Sequence, residues 1–387
     1  MIINMKFFSN AIIDQKPLLQ FSLLYLSILI IWYVALLNNN NVQDVFNLYP
    51  NSFYFEPFIS IYIFELIKSS QILYILAAIN IIVIPYFILV LMFKVYSKFV
   101  EPKYAFLFSL LSLSISSEKN FRDFLYSITQ SNYMDGLSYA DFPLIFKFPF
   151  PSLSTLFFLF LFYSIINIKK WEYQNYWILT MLSTLFFYIN ALAAVFILLL
   201  WFFVLCFDGY KAKHGMKYLL FHITLTVALL LPGVLENSVV ENRETTITYD
   251  YYNLVLYNFL PLFLSFVFFK IKRIDPYEVW FKFKYIYLFL GIEIFINLLV
   301  YSKIFIIDLN ILNKQVLQFV IHLLYYTPII YYLSRQSINY RFGPESNRAS
   351  IKISNFFFYT FTNLKKPFFY LLIILLLAFN FPLIIFV

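Results

Sequence analysis

Residues 71–93 read QILYILAAINIIVIPYFILVLMF, 23 residues without one charge. A helix rises 1.5 Å per residue, so about 20 apolar residues cross the hydrocarbon of a bilayer. The run is too long and too uniformly apolar for a strand, and Lys94, Lys98 and Lys103 follow it at once. It is therefore expected to be a membrane-crossing helix with its end at a positively charged, cytoplasmic surface.

The same reading extends along the 387-residue chain. Hydrophobic residues make up 62% and charged residues 12%, about half of what a soluble domain carries, so a water-soluble fold could not hide this much apolar surface. Apolar runs at 18–37, 71–93, 104–116, 150–168, 176–189, 191–207, 217–234, 253–269, 285–303, 315–333 and 367–387 predict an all-α, polytopic transmembrane bundle of about eleven spans. The stretch 176–207 exceeds a bilayer, and the reading breaks it at Asn190. The first run is too long for a signal-peptide core and has no small-residue cleavage site after it, so it is read as a retained span. Residues 58–68, FISIYIFELIK, are too short to span and carry Glu65 and Lys68, the pattern of an interfacial amphipathic helix.

Charge tests this arrangement. With the N-terminus in the cytoplasm, 21 of the 28 basic residues fall in cytoplasmic segments and the C-terminus lies on the opposite side. Basic residues that sort by membrane side explain the net charge of +8 without a nucleic-acid partner. Twelve of the twenty acids fall outside, an excess that orientation does not require. The chain reads as one integral membrane domain over residues 1–387, with outside loops at 38–70, 117–149 and 235–252 and a long inside loop at 334–366. Its Phe, Tyr, Ile, Asn and Lys content fits an AT-rich genome and the cytoplasmic membrane of a prokaryote. The single cysteine, Cys206, allows no internal disulfide.

Chemistry is sought where polar groups resist this plan. The first outside loop, NNNNVQDVFNLYPNSFYFEP, presents Asp44 and Glu56 with no cation before Lys68. Such acids serve as a general base, or hold a divalent cation (magnesium or manganese) against a phosphate; as solvated loop acids they do neither. Arg122 and Lys147 in the second loop, and Arg243 in ENSVVENRETTITYDYY, are cations on the side that has few. They suit an anionic ligand such as a phosphate, or pairing with neighbouring acids such as Asp123. Lys147-Phe-Pro-Phe-Pro-Ser152 leads directly into a span, and its prolines set an extended entry and a helix's first turn. Glu293, in YLFLGIEIFINLL, with His222 and His322, places ionisable groups inside spans: a proton route, or hydrogen-bonded packing residues. No histidine has ligand-spaced partners, so no metal-histidine site is expected. Gly-rich phosphate loops, His-Glu-x-x-His and Gly-x-Ser-x-Gly are absent from the sequence.

The first span from inside, the acidic outside loop and the interfacial helix together resemble the polytopic glycosyltransferases of the C-type fold, mainly over residues 1–170. The tract from Lys147 to Ser154 resembles a basic-x-x-x-Pro-x-x-Ser stretch before a span in some members, with Lys147 where those usually have Arg. The paired-acid signature is missing, since Val45 follows Asp44 and Pro57 follows Glu56. The resemblance implies transfer of a hexosyl or pentosyl unit from a polyprenyl-phosphate donor to an extracytoplasmic glycan or lipid acceptor in envelope polysaccharide synthesis. It implies Asp44 or Glu56 as the base, with Lys147, Arg122 and Arg243 on the donor phosphate, and membrane lipid as surroundings. The alternatives are an O-antigen-type polysaccharide polymerase, which would use the outside arginines, and a transporter or flippase of lipid-linked glycans, which would use Glu293 and His322.

Alkaline phosphatase, active only outside the cytoplasm, is expected to be active when fused after Gln130 and inactive after Ala212. The reverse pattern, measured on whole cells, would invert the topology.

Overall fold

The computed structural model describes residues 16–38, 70–100, 102–115, 152–167, 173–186, 191–207 and 260–301, with short helical pieces within 217–228, 326–332 and 371–374. These residues are helical throughout apart from short turns, and no strand occurs among them. The elements are α1 (Lys16–Asn38), α2 (Ser70–Ala78), a π-turn (Ile79–Val83), α3 (Ile84–Tyr96), α4 (Pro102–Ile115), α5 (Ser152–Ile166), α6 (Tyr173–Leu185), α7 (Ala191–Phe207), α8 (Leu260–Lys272) and α9 (Pro276–Tyr301). Among the described residues one continuous helix, Tyr74–Tyr96, is long and apolar enough to cross a membrane; Leu19–Ile31, Tyr104–Leu113 and Ser152–Ile166 are shorter apolar helices. Helix α6 ends at Leu185 and α7 begins at Ala191; Asn190, where a break is expected, lies outside the described residues. The outside loops, the inside loop 334–366, the interfacial helix 58–68 and most of the runs 217–234, 315–333 and 367–387 lie outside the described residues.

The Tyr74–Tyr96 rod is the axis of the fold. Its π-turn has a local cause. Pro85 has no N–H, and its ring crowds the carbonyl four residues back, at Ile81. The helix accommodates this by widening one turn, and Ile84 N–H bonds to Ile79 O, five residues back instead of four. Beyond Pro85 every residue from Ile88 to Tyr96 is buried, as expected of a helix that is apolar on all sides.

Ring contacts and hydrogen bonds set the directions of its neighbours. Tyr33, late in α1, donates its hydroxyl to Tyr74 O at 2.9 Å, while Phe21, early in α1, meets Phe106 at 6.5 Å. Phe106 also meets Phe93 edge-on at 6.3 Å, and the Tyr96 and Ser112 hydroxyls share a 2.8 Å hydrogen bond. Thus α1 runs antiparallel to the rod, and α4 packs against the rod's later end. By contrast α5 runs parallel to the rod: Ser152 lies at Asn80 and Tyr163 lies under Lys98.

The second half of the core gathers on Phe289 of α9. Its ring takes Phe158 and Phe162 of α5 edge-on at 5.7 and 5.8 Å and stacks on Phe196 of α7 at 5.6 Å. Trp201 of α7, fully buried, donates its indole N–H to Thr180 Oγ1 of α6 at 3.0 Å. The backbone breaks helical geometry at Phe283 (φ −111°, ψ 16°), dividing α9. The Phe283 ring is wedged against Phe99 at 5.6 Å and Tyr331 at 5.5 Å.

Small hydroxyl side chains are buried while some aromatic and aliphatic ones are exposed. Ser22, Ser109, Ser112, Thr180, Ser183 and Thr184 are fully buried, whereas Phe263, Phe266 and Ile271 are 62%, 63% and 71% exposed. Small hydroxyl residues let helices approach closely, and each hydroxyl can bond back to its own helix, as Ser109 does to Ala105 O and Thr184 to Thr180 O.

α8 and α9 form a hairpin with a three-residue connection. Ile274 N–H bonds to Phe269 O and Arg273 N–H to Lys270 O, at 3.0 and 3.3 Å. This is the Schellman closure of a helix end. Its left-handed position is held by Arg273 (φ 51°) instead of glycine, at a cost of about 1 kcal/mol. Asp275 then caps α9 by accepting the Tyr277 N–H at 2.9 Å, with Pro276 in the first helical position.

Replacing Phe289 with Ala removes a ring held by three others and is expected to destabilise the detergent-solubilised protein by about 3 kcal/mol. Phe289→Leu should lose less. Thermal unfolding of both variants checks this, and equal melting temperatures would show that Phe289 is not the keystone.

Candidate functional site

The tract singled out in the sequence, Lys147 to Ser154, ends in the described residues. Ser152 opens α5 and is fully buried. Its hydroxyl donates to the side-chain oxygen of Asn80 at 2.8 Å, across 72 residues of sequence. Asn80 sits in the π-turn and is itself fully buried. An amide in an apolar interior is costly unless bonded, and the widened turn presents it to the one helix that begins at its level. Ser154 and Thr155, the next hydroxyls of α5, are also fully buried, and Asn80, Ser154 and Thr155 each make further interactions. The result is a polar seam at the head of α5, inside an otherwise aliphatic and aromatic bundle.

The register of the rod sets the depth of this seam. Asn80 follows Ser70 by ten residues, or roughly 15 Å along a helix axis. The start of α5 is therefore recessed by about that distance from the start of α2.

The other sequence-predicted residues divide simply. Asp44, Glu56, Arg122, Lys147, Arg243, His222 and His322 lie outside the described residues. Glu293 falls on α9, four residues after Phe289 and three after Leu290, the spacing of the buried stripe Ile286–Phe289–Leu290. Its side chain lies outside the described residues. Beside it, Gly291 has no heavy atom within 4 Å of where a Cβ would stand. Among the described residues no three His, Cys, Asp or Glu side chains group as metal ligands.

Two clusters at the opposite end of the bundle were not singled out in the sequence. In the first, Lys98 lies over the Tyr163 ring at 5.8 Å and Lys282 over Tyr331 at 3.2 Å. The Phe99–Phe283 contact joins the two pairs. Lys94, one turn earlier, is only 4% exposed. These cations were legible only as members of basic loops; their aromatic partners come from distant segments. In the second, the hydroxyls of Ser265 and Tyr287 face one another beside Tyr332, inside the α8–α9 hairpin. The Ser265 and Tyr287 hydroxyls are buried without reaching hydrogen-bond geometry among the described residues. Lone Ser and Tyr residues in apolar runs carry no signal of such a meeting.

The chain matches no family model, no curated protein and no solved structure.

The Asn80–Ser152 bond yields a quantitative expectation. In a double-mutant cycle of Asn80→Ala and Ser152→Ala, read by denaturant or thermal unfolding, the coupling should be about 0.5–1.5 kcal/mol. A coupling of zero would mean that the bond does not hold α5 to the rod.

Proposed function

We propose that this chain is a polytopic membrane glycosyltransferase. It crosses the cytoplasmic membrane of a prokaryote about eleven times, with its N-terminus inside and its C-terminus outside. It moves a sugar from a polyprenyl-phosphate donor to an extracytoplasmic glycan or lipid acceptor.

Membrane embedding is supported by two features. Some phenylalanines and isoleucines, Phe263, Phe266 and Ile271 among them, face outward while serines and threonines fill the seams, a distribution that suits apolar surroundings. In addition, ends assigned to one side by charge lie together. The α3 end (Lys98, Phe99), the α5 end (Tyr163), the early part of α9 (Phe283) and Tyr331 meet in one cluster. The late end of α1 meets the start of the rod. The parallel run of α5 and the rod fits an odd number of crossings between them, as the proposed topology has it.

The observation that carries the transferase reading is the recessed start of α5. Ser152, five positions after Lys147, bonds to Asn80 ten residues after the start of α2, and this supports a recess on the side to which the proposed topology assigns Asp44, Glu56, Arg122 and Arg243. A lipid-linked donor has its phosphate at the membrane surface and its tail in hydrocarbon, so a recess at this level suits both. In the reaction the acceptor hydroxyl attacks the anomeric carbon and its proton passes to Asp44 or Glu56. The bond from that carbon to the phosphate oxygen breaks. Polyprenyl phosphate leaves with the electron pair, its charge met by Lys147, Arg122 or Arg243. A divalent cation held by the acids would add to that neutralisation.

Turnover of labelled polyprenyl-phosphate sugars by the reconstituted protein tests this. Asp44→Asn or Glu56→Gln is expected to lower it by about a hundredfold or more with folded protein retained. Equal rates in both variants and wild type would remove the acids from the reaction. No turnover across a broad donor panel would refute the transferase reading.

A further inference from the structure

The α8–α9 hairpin concentrates positive charge at one tip. Between residues 270 and 284 it carries Lys270, Lys272, Arg273, Lys282 and Lys284 against two acids, Asp275 and Glu278. Both acids are placed for helix formation. Asp275 caps α9 through the Tyr277 N–H, and Glu278 stands in the first turn, where the helix dipole favours an anion. Among the described residues Lys270, Lys272 and Arg273 have no acidic partner. Three cations thus lie together on the α8 end and the connection.

Arg273 is the most telling of them. It occupies the left-handed position of the Schellman closure, where glycine meets no steric penalty and is the usual choice. A strained arginine there keeps a cation at the tip where a glycine would have relieved the backbone.

The surface beside these cations is aromatic. Tyr277 and Trp280 are 72% and 52% exposed, and Phe281, which stacks on Tyr277 at 6.4 Å, is exposed as well. Exposed Trp and Tyr flanked by Lys and Arg match the boundary between hydrocarbon and headgroups. A bare apolar face would fit any lipid tail; Lys270, Lys272 and Arg273 choose among headgroups.

We infer that the tip of the α8–α9 hairpin is a docking site for an anionic phospholipid of the cytoplasmic leaflet, its phosphate among Lys270, Lys272 and Arg273 and its upper chains against Tyr277 and Trp280. The inference rests on the membrane reading of the preceding section, but not on the transferase chemistry. The site lies at the end of the bundle opposite the Asn80–Ser152 seam, so it secures the hairpin in depth and takes no part in sugar transfer.

The test uses the full chain in phosphatidylcholine vesicles that contain brominated phosphatidylglycerol or, in a parallel set, brominated phosphatidylcholine at the same mole fraction. Quenching of Trp280 is isolated by subtracting the signal of the Trp280→Phe protein. Phosphatidylglycerol is expected to occupy positions beside Trp280 with about a fivefold or greater preference, the effect of one to a few cations near an anionic lipid. The preference should approach unity in the Lys270→Gln/Lys272→Gln/Arg273→Gln protein, and in wild type at about 0.5 M KCl, where exposed charges are screened. Equal quenching by the two lipids overturns the anionic site and leaves the membrane reading standing. A preference that persists unchanged in high salt also overturns it, and this arm needs no variant to fold. Absence of quenching by either lipid overturns the membrane reading along with the site.

Discussion

The structure depends on one constraint: the polar groups of a chain this apolar must find partners among its own helices. Backbone groups do so by helix formation wherever the chain is described. The harder cases are side chains. Ser109 and Thr184 bond back to their own helices. Tyr96, Trp201 and Ser152 reach across to Ser112, Thr180 and Asn80. Each of these bonds joins two different helices across an interior made mostly of rings and aliphatic chains. In the proposed bilayer, apolar burial does little to drive helices together, so such bonds and the close approach that small residues allow set which helices are neighbours.

The rod from Tyr74 to Tyr96 shows how a local defect becomes a tertiary determinant. Proline in mid-helix removes one bond and crowds one carbonyl. The wider turn that relieves Pro85 also carries Asn80, whose amide meets the head of α5. From there α5 must run parallel to the rod, and Phe158 and Phe162 are delivered to Phe289. A regular helix through residues 79–83 would rotate Asn80 relative to everything beyond Pro85, and one helix could not serve both contacts.

The two ends of the bundle differ chemically, and the difference supports the proposed division of labour. One end joins cations to aromatic rings, as Lys98 to Tyr163 and Lys282 to Tyr331. The other holds a neutral hydroxyl and amide seam at a recessed helix start. Cation-aromatic contacts suit a headgroup region with its mixture of water and hydrocarbon. A neutral seam does not repel an incoming phosphate and leaves charge recognition to loop residues such as Lys147.

The amino-acid sequence alone determined the helical class, the approximate places of α1 through α7 and the alternation of basic segments, while α9 starts nine residues before the run expected at 285–303. These follow from run length, hydropathy and charge, which are properties of neighbours along the chain. Only the tertiary structure decided that Asn80 meets Ser152, that Phe289 gathers three helices and that Phe283 interrupts α9. The left-handed Arg273 was equally hidden, because the residue that usually marks such a turn is glycine. Those features depend on which residues meet at distances of tens of positions. In a chain with 51 phenylalanines and 33 tyrosines, nearly every helix face offers an aromatic ring, so pattern does not say which rings pair. Packing geometry, and the few polar groups that must be satisfied within it, select the pairs.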